Sequence, residues 1–384
     1  MIKKIVADAG LLLEEAGTVD LDKFKVHLWV AHSEQELELA LDTDDKVCTA
    51  GNRGSTVGEA LKWLPGIAKD EILFLSRRVG FVGKFTQGQG TTCGEWTRPV
   101  NAKGEKGFFK ANPSTGVCPV QCDFCYLRGI PFNSNSVALN VGEYAAQVAR
   151  KRRVRNRSIV PPVVNLSETG GLIEWAAEYG LQRLVQAYTD ATLAAGSVPY
   201  WLTKKHLRGV DFNGAHIGIS LNPWAVMAAR SPKADTPGGL LDFLSKARSQ
   251  GASTVIRWGP IVPNYGPYYD QLADLVHEWG FGDGRFTVDL LRYSKRHPEM
   301  RARTVQHVGG GDVVGTDRIA PADRGFEFRA HKWQEPPEVQ RAHLERVRGY
   351  FPDATITGCK MDASVAIEWV RTGLIQAMPC ACWI

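Results

Sequence analysis

A chain of 384 residues, 44% hydrophobic and 23% charged, has the composition of a globular protein with room for one large domain plus an appendage, or for two domains. No apolar run approaches the roughly 18 residues that span a bilayer. The start, M-I-K-K-I-V-A-D-A-G, is interrupted by Asp8 and then Glu14 and makes a poor secretion signal. The expectation is a cytoplasmic protein with no membrane partner. The net charge of +5 is mild but concentrated: Arg150–Arg157 carries six cations in eight residues, and Lys295, Arg296, His297, Arg301 and Arg303 form a second group. Two such runs suit a polyanionic partner.

Residues 1–84 read as a small α/β unit. Lys25–Val30 and Ile72–Ser76 are strand-like, and Ser33–Leu41 has helical spacing behind a capping Ser33. Thr56–Trp63 starts another helix after the turn-rich Gly51–Gly58. From Arg77 to Ser114 glycine and polar residues dominate, which suits a connection or a loop that approaches a ligand. Cys48 and Cys93 receive no role.

The segment V-C-P-V-Q-C-D-F-C-Y, Val117–Tyr126, sets Cys118, Cys122 and Cys125 at C-x3-C-x2-C. Cysteine thiolates hold iron–sulfur clusters. Three of them on a four-iron cubane leave one iron open. A structural zinc site would call for a second ligand pair such as C-x2-C or H-x3-H, and the nearest histidine is His206. Eight cysteines in a chain of this type favour metal or redox chemistry over a disulfide frame. The spacing followed by Tyr126 is the signature of the radical SAM superfamily, in which S-adenosylmethionine (SAM) occupies the open iron of a [4Fe-4S] cluster.

Beyond the triplet, predicted helices alternate with predicted strands. Helices are expected over Val141–Lys151, Leu181–Ala194, Leu240–Ser249 and Tyr268–Trp279, with a helix start at Gly170–Ala177. Strands are expected over Val160–Ser167, Tyr200–Thr203, Ala215–Leu221, Ser253–Val262 and Phe286–Leu291. This alternation means a parallel sheet with crossover helices. The expected fold is α/β, a partial (β/α)6 barrel over residues 85–325. It is preceded by the 1–84 unit and followed by a 326–384 extension holding a helix at Pro337–Tyr350 and a tail with Cys380 and Cys382. In such barrels chemistry sits at the C-terminal strand ends, which directs attention to Ser167, Glu168, Lys204, Ser220, Asn222 and Tyr265.

With those residues in view, the chain resembles the spore photoproduct lyase family of radical SAM enzymes, from about Glu71 to Phe351. The resemblance is carried by C-P-V-Q-C-D-F-C-Y-L from Cys118, L-T-K at Leu202–Lys204, I-S-L-N at Ile219–Asn222, G-P-I-V at Gly259–Val262 and A-H-K-W at Ala330–Trp333. It implies that Cys118, Cys122 and Cys125 ligate the cluster and that Lys204 meets the SAM carboxylate. It also implies that Ser220 and Asn222 bind SAM, with Ser167 and Tyr126 beside them, and that Tyr126 relays hydrogen. A-H-K-W would begin a DNA-contacting β-hairpin, and an electron donor such as flavodoxin or ferredoxin would reduce the cluster.

The resemblance breaks at the hydrogen-return chain. The family's donor cysteine lies in a segment like E-A-S-C-T-S-D, whereas this chain reads N-L-S-E-T-G-G over Asn165–Gly171, with Glu168 at the thiol's place. Phe124 stands where a tyrosine is expected, and Gln334-Glu335-Pro336-Pro337 follows the A-H-K-W motif where basic and aromatic residues would insert into DNA. A carboxylate O–H bond is too strong to replace a thiol as hydrogen donor. Glu168 can hold an ammonium, accept a base N–H or act as a general base, or it can simply cap the helix that follows. The first expectation is therefore a radical enzyme that rearranges or modifies a thymine-derived base or nucleotide, such as an amino-acid-decorated thymine in bacteriophage DNA. The alternatives are photoproduct repair with Cys380 or Cys382 as hydrogen donor, a non-catalytic nucleic-acid binder with a structural cluster, and a radical enzyme acting on a small molecule or peptide. One cluster is expected rather than a second on Cys93, Cys359, Cys380 and Cys382.

Overall fold

The computed structural model describes residues 4–8, 28–30, 47–48, 71–76, 78, 80–84, 108–122, 124–125, 135–154, 163–167, 171–262, 265–290, 292–294, 327–329, 332–334, 337–359 and 368–376. The helices expected at Ser33–Leu41 and Thr56–Trp63 lie outside these residues.

Strands β1 (Lys4–Asp8), β2 (Leu28–Val30), β3 (Val47–Cys48) and β4 (Ile72–Ser76) open the chain. Then β5 (Val82–Lys84), β6 (Phe108–Ala111), β7 (Ser114–Thr115) and β8 (Asn135–Ala138) surround the cysteine segment. Regular alternation follows through α1 (Val141–Val154), β9 (Val163–Asn165), α2 (Leu172–Tyr179), α3 (Gln182–Ala194), β10 (Val198–Thr203), β11 (His216–Leu221), α4 (Trp224–Arg230) and α5 (Pro237–Ser249). It continues with β12 (Ser253–Ile261), α6 (Gly266–Glu278) and β13 (Arg285–Leu290). The last elements are β14 (Arg292–Ser294), β15 (Glu327–Arg329), β16 (Lys332–Gln334), α7 (Pro337–Tyr350) and β17 (Thr355–Cys359).

The main sheet runs β17-β13-β12-β11-β10-β9-β6-β5, parallel throughout except for the antiparallel edge strand β5. This is the half-barrel that the alternation predicts. Its central strands are covered on both faces, and all of H-I-G-I-S-L in β11 is buried, as a parallel sheet requires. On α5, Leu240, Leu241, Phe243, Leu244 and Ala247 form the buried stripe. Its start is set by Thr236, whose hydroxyl accepts from the Gly239 N–H at 3.1 Å, and by Pro237 in the first turn. At the β12–β13 end, Phe351 stacks on Phe286 at 4.3 Å and meets Trp258 edge-on at 5.3 Å.

The second sheet runs β3-β2-β1-β4-β8-β7. Strand β8 lies beyond the cysteine triplet in sequence yet pairs parallel with β4. The chain thus leaves the half-barrel at β6, enters the second sheet at β7, and spans the cysteines before returning to it at β8. Asn135 fixes that path: its Oδ1 accepts from the Val117 N–H at 2.9 Å. A Cβ at Gly116 (φ 118°) would lie 2.3 Å from that same oxygen, so only glycine fits there. A third, antiparallel sheet of β14, β16 and β15 contains the hairpin expected at A-H-K-W, with Tyr293, Trp333 and Phe328 in one cross-strand row. Among the described residues no helix is long and apolar enough to cross a membrane.

Candidate active site at the C-terminal edge of the half-barrel

The cysteine loop is a pair of tight turns. The Gln121 N–H reaches the Cys118 carbonyl at 3.1 Å, and the Cys125 N–H reaches that of Cys122 at 3.1 Å, with Gln121 in the left-handed region at φ 55°. Cys122 is buried, Cys118 and Cys125 are half-buried, and none of the three is in a disulfide. Burial, the Glu174 carboxylate and the other two thiols push the Cys118 thiol well above its ordinary value. Burial also raises Cys122, opposed by the Lys204 ammonium and by a hydrogen bond with Ser231. Among the described residues no three His, Cys, Asp or Glu side chains are set as a metal group, so the fit rests on the loop and its charges. One buried and two half-buried sulfurs on a single tight loop, with the Lys204 ammonium beside Cys122, have the chemistry that thiolate-held metal clusters use.

Lys204 follows β10 and is the centre of the polar network. Its buried Nζ donates to the Ser220 carbonyl and to Asn222 Oδ1, both at 3.1 Å. It also lies 5.7 Å from the centroid of the Phe124 ring. Phe124 therefore provides an aromatic face to a buried cation, a role its position in the triplet did not suggest. Burial and the Arg257 guanidinium lower the Lys204 ammonium, while Cys122, Cys125 and Asp289 raise it. Of the ammonium's three donors, these bonds occupy two.

Asn222 is completely buried. Its Nδ2 donates to the Pro260 carbonyl at 2.8 Å and to the Tyr269 hydroxyl at 3.3 Å. The Ser220 hydroxyl donates to the Gly259 carbonyl at 3.1 Å. Ser167 binds β10 rather than pointing into open space: its Oγ accepts from the Leu202 N–H at 2.9 Å, and its own N–H donates to Asn165 Oδ1 at 3.0 Å. The structure thus brings the triplet, Lys204, Ser220 and Asn222 together at one edge. Tyr126, Glu168, Cys380 and Cys382 lie outside the described residues. The backbone of Cys359, which ends β17, pairs in register with Asp289.

Sequence reasoning missed three contributors. Arg257 and Asp289 form a buried ion pair at 2.7 Å on neighbouring strands β12 and β13. Tyr269 ties Asn222 to the β12 end, accepting from the Val262 N–H at 3.0 Å. The third is Glu174 in the first turn of α2, where its type and position resembled an ordinary helix-start acid. Its Oε1 accepts from the Lys204 N–H at 3.0 Å and the Thr203 hydroxyl at 2.8 Å, while its Oε2 is buried without a partner. A Cβ at Gly171 would lie 1.6 Å from Oε2, so the Gly170-Gly171 pair ahead of an acid was the available signal. Glu174→Ala leaves the buried Lys204 N–H unpaired, while the Thr203 hydroxyl keeps the Lys205 carbonyl at 3.2 Å. It is expected to cost about 2 kcal/mol, whereas Glu174→Gln, which keeps the acceptor, should cost less than about 1 kcal/mol. Urea midpoints at unchanged m-value measure both, and equal midpoints for the two variants would refute the assignment.

The half-barrel, with the cysteine loop and Lys204 at one edge, is the partial (β/α)6 barrel expected from the alternation of strands and helices. Among solved structures it is similar to spore photoproduct lyase. A cysteine-to-serine mutant of that enzyme superposes with a TM-score of 0.58 at 14% identity, covering 93% of this chain and 99% of its own. A double mutant with bound AdoMet and dinucleoside spore photoproduct gives 0.57 at 15% identity, with coverage of 93% and 98%. The lyase complexed with dinucleoside spore photoproduct gives 0.58 at 14% identity, with coverage of 93% and 99%. No protein-family model and no curated protein matches the chain by sequence. The likeness is one of fold.

Proposed function

We propose that this protein is a radical SAM enzyme that removes a hydrogen atom from a thymine-derived base or nucleotide in DNA and directs the resulting substrate radical to modification or isomerisation. The observation that carries this reading is the convergence of Cys122, Phe124 and Lys204 at the C-terminal edge of the half-barrel. Support for the substrate comes from the fold neighbours that hold dinucleoside spore photoproduct.

When bound, a reduced [4Fe-4S] cluster and SAM supply a 5′-deoxyadenosyl radical at such a mouth. Cys118, Cys122 and Cys125 would hold the cluster. The remaining Lys204 N–H would receive the SAM carboxylate, with the ammonium as a point cation. The Ser220 carbonyl and Asn222 Oδ1 hold the lysine in place, both residues would bind SAM, and Ser167 ties the end of β9 to β10. Phe124 sets an aromatic face against that ammonium. An external donor of the flavodoxin or ferredoxin class delivers the electron.

The substitution of Glu168 for the repair enzyme's thiol favours thymine hypermodification over dimer repair, with Glu168 meeting a substrate amine or a base N–H. Anaerobic incubation with SAM, reductant and DNA carrying either amino-acid-decorated thymines or thymine dimers, followed by nucleoside mass spectrometry, tests this. The expected result is SAM cleavage with a mass-shifted or isomerised decorated thymidine and untouched dimers. Restored thymines, lost on substituting Cys380 or Cys382, would establish repair instead. Absence of 5′-deoxyadenosine with every DNA would leave only a binding role.

A further inference from the structure

Aromatic side chains are costly to leave in water, yet Trp224 is 57% exposed and Tyr268 is 45% exposed. Both stand at one place in the fold. Trp224 opens α4, two residues after Asn222 at the C-terminal end of β11, and Tyr268 lies in the first turn of α6, just beyond the C-terminal end of β12. These strands are parallel neighbours, and α4 packs against α6. The two helix starts therefore share the edge that carries the Lys204–Asn222 network. Tyr265 extends the surface, its ring 6.0 Å from that of Tyr268 at an interplanar angle of 49°.

The backbones beneath these rings are fixed. Pro223 precedes α4 and Pro267 lies in the first turn of α6. Tyr269, next to Tyr268, is buried and donates its hydroxyl to the Pro260 carbonyl at 3.3 Å. Rigid, exposed rings on a rim next to a reaction site are costly to maintain for packing and suited to stacking.

We propose that Trp224 and Tyr268 form a stacking platform for the unpaired nucleobases that flank the reacting thymine on the same strand. The inference rests on the reading that DNA is the substrate. A base entering the mouth must leave its helix, and its neighbours then present π-faces that rings accept irrespective of sequence. The continuity of the rim with the site mouth selects this occupant over a protein partner or a second copy of the chain.

Fluorescence anisotropy with a short labelled single strand decides the matter, using Trp224→Ala, Tyr268→Ala, the double variant and the Phe replacements. Each alanine should weaken binding about tenfold and the pair about a hundredfold, while Trp224→Phe and Tyr268→Phe stay within about threefold because an aromatic face remains. The slope of affinity against salt should be unchanged, since no phosphate contact is removed. Alanine variants that bind like the parent overturn the platform and leave the DNA reading intact. So does a salt slope that falls with the substitution, or a change in oligomeric state alone. A parent protein that binds no DNA overturns both.

Discussion

Cys122→Ala should lower the iron of anaerobically reconstituted protein from about four per chain to less than one, with loss of the broad visible absorbance. The size of the effect follows from the loop. Cys122 is the buried member of the triplet and faces Lys204, so its sulfur has both the least access to water and the strongest pairing once deprotonated. Alanine fits the same small buried volume, so the variant keeps its fold and the loss reports ligation. Cys93→Ala provides the control and should retain its iron. A parent protein with about eight irons per chain would place a second cluster on Cys93, Cys359, Cys380 and Cys382. Retention of iron by Cys122→Ala would refute the cluster assignment itself.

Lys204→Met should weaken SAM binding by about a hundredfold or more and abolish 5′-deoxyadenosine formation, with iron content preserved. Methionine keeps the length and apolar stem of the side chain but removes the ammonium. It leaves Asn222 Oδ1 and the Ser220 carbonyl without a donor and a ligand carboxylate without a counter-charge. Loss of one partner from a buried charge-assisted pair costs about 3 kcal/mol or more, which is at least a hundredfold in affinity. Equilibrium dialysis with labelled SAM separates this from cluster damage, and parent-like affinity would remove Lys204 from the site. Lys204→Arg should not rescue, because the Ser220 carbonyl and Asn222 Oδ1 receive a single compact ammonium, which a planar fork does not reproduce.

Much of this site was legible in the order of residues. The C-x3-C-x2-C spacing reads as a metal loop because ligands close in sequence need only tight turns to converge. Strand–helix alternation locates the mouth, since in a parallel sheet every C-terminal strand end opens on the same side. That rule directed attention to Lys204, Ser220 and Asn222, which the structure joins in one hydrogen-bonded network. It did not point to Glu174 or the Arg257–Asp289 pair. Glu174 is one acid among many at helix starts, and its importance comes from a carboxylate that reaches a strand end 30 residues later. Arg257 and Asp289 sit 32 residues apart and meet only across neighbouring strands.

The sequence by itself determined the cysteine loop, the parallel α/β architecture and the edge where they meet, because each rests on local spacing or periodicity. Only the tertiary structure decided how the loop is held. That required β8 to pair with β4 so that Asn135 anchors the approach to Cys118. It also required the turn after β10 to close on Glu174, and Phe124 to face Lys204. Contacts between distant segments leave no periodic trace. They arise when sheet pairing brings buried polar groups close enough that each must satisfy another.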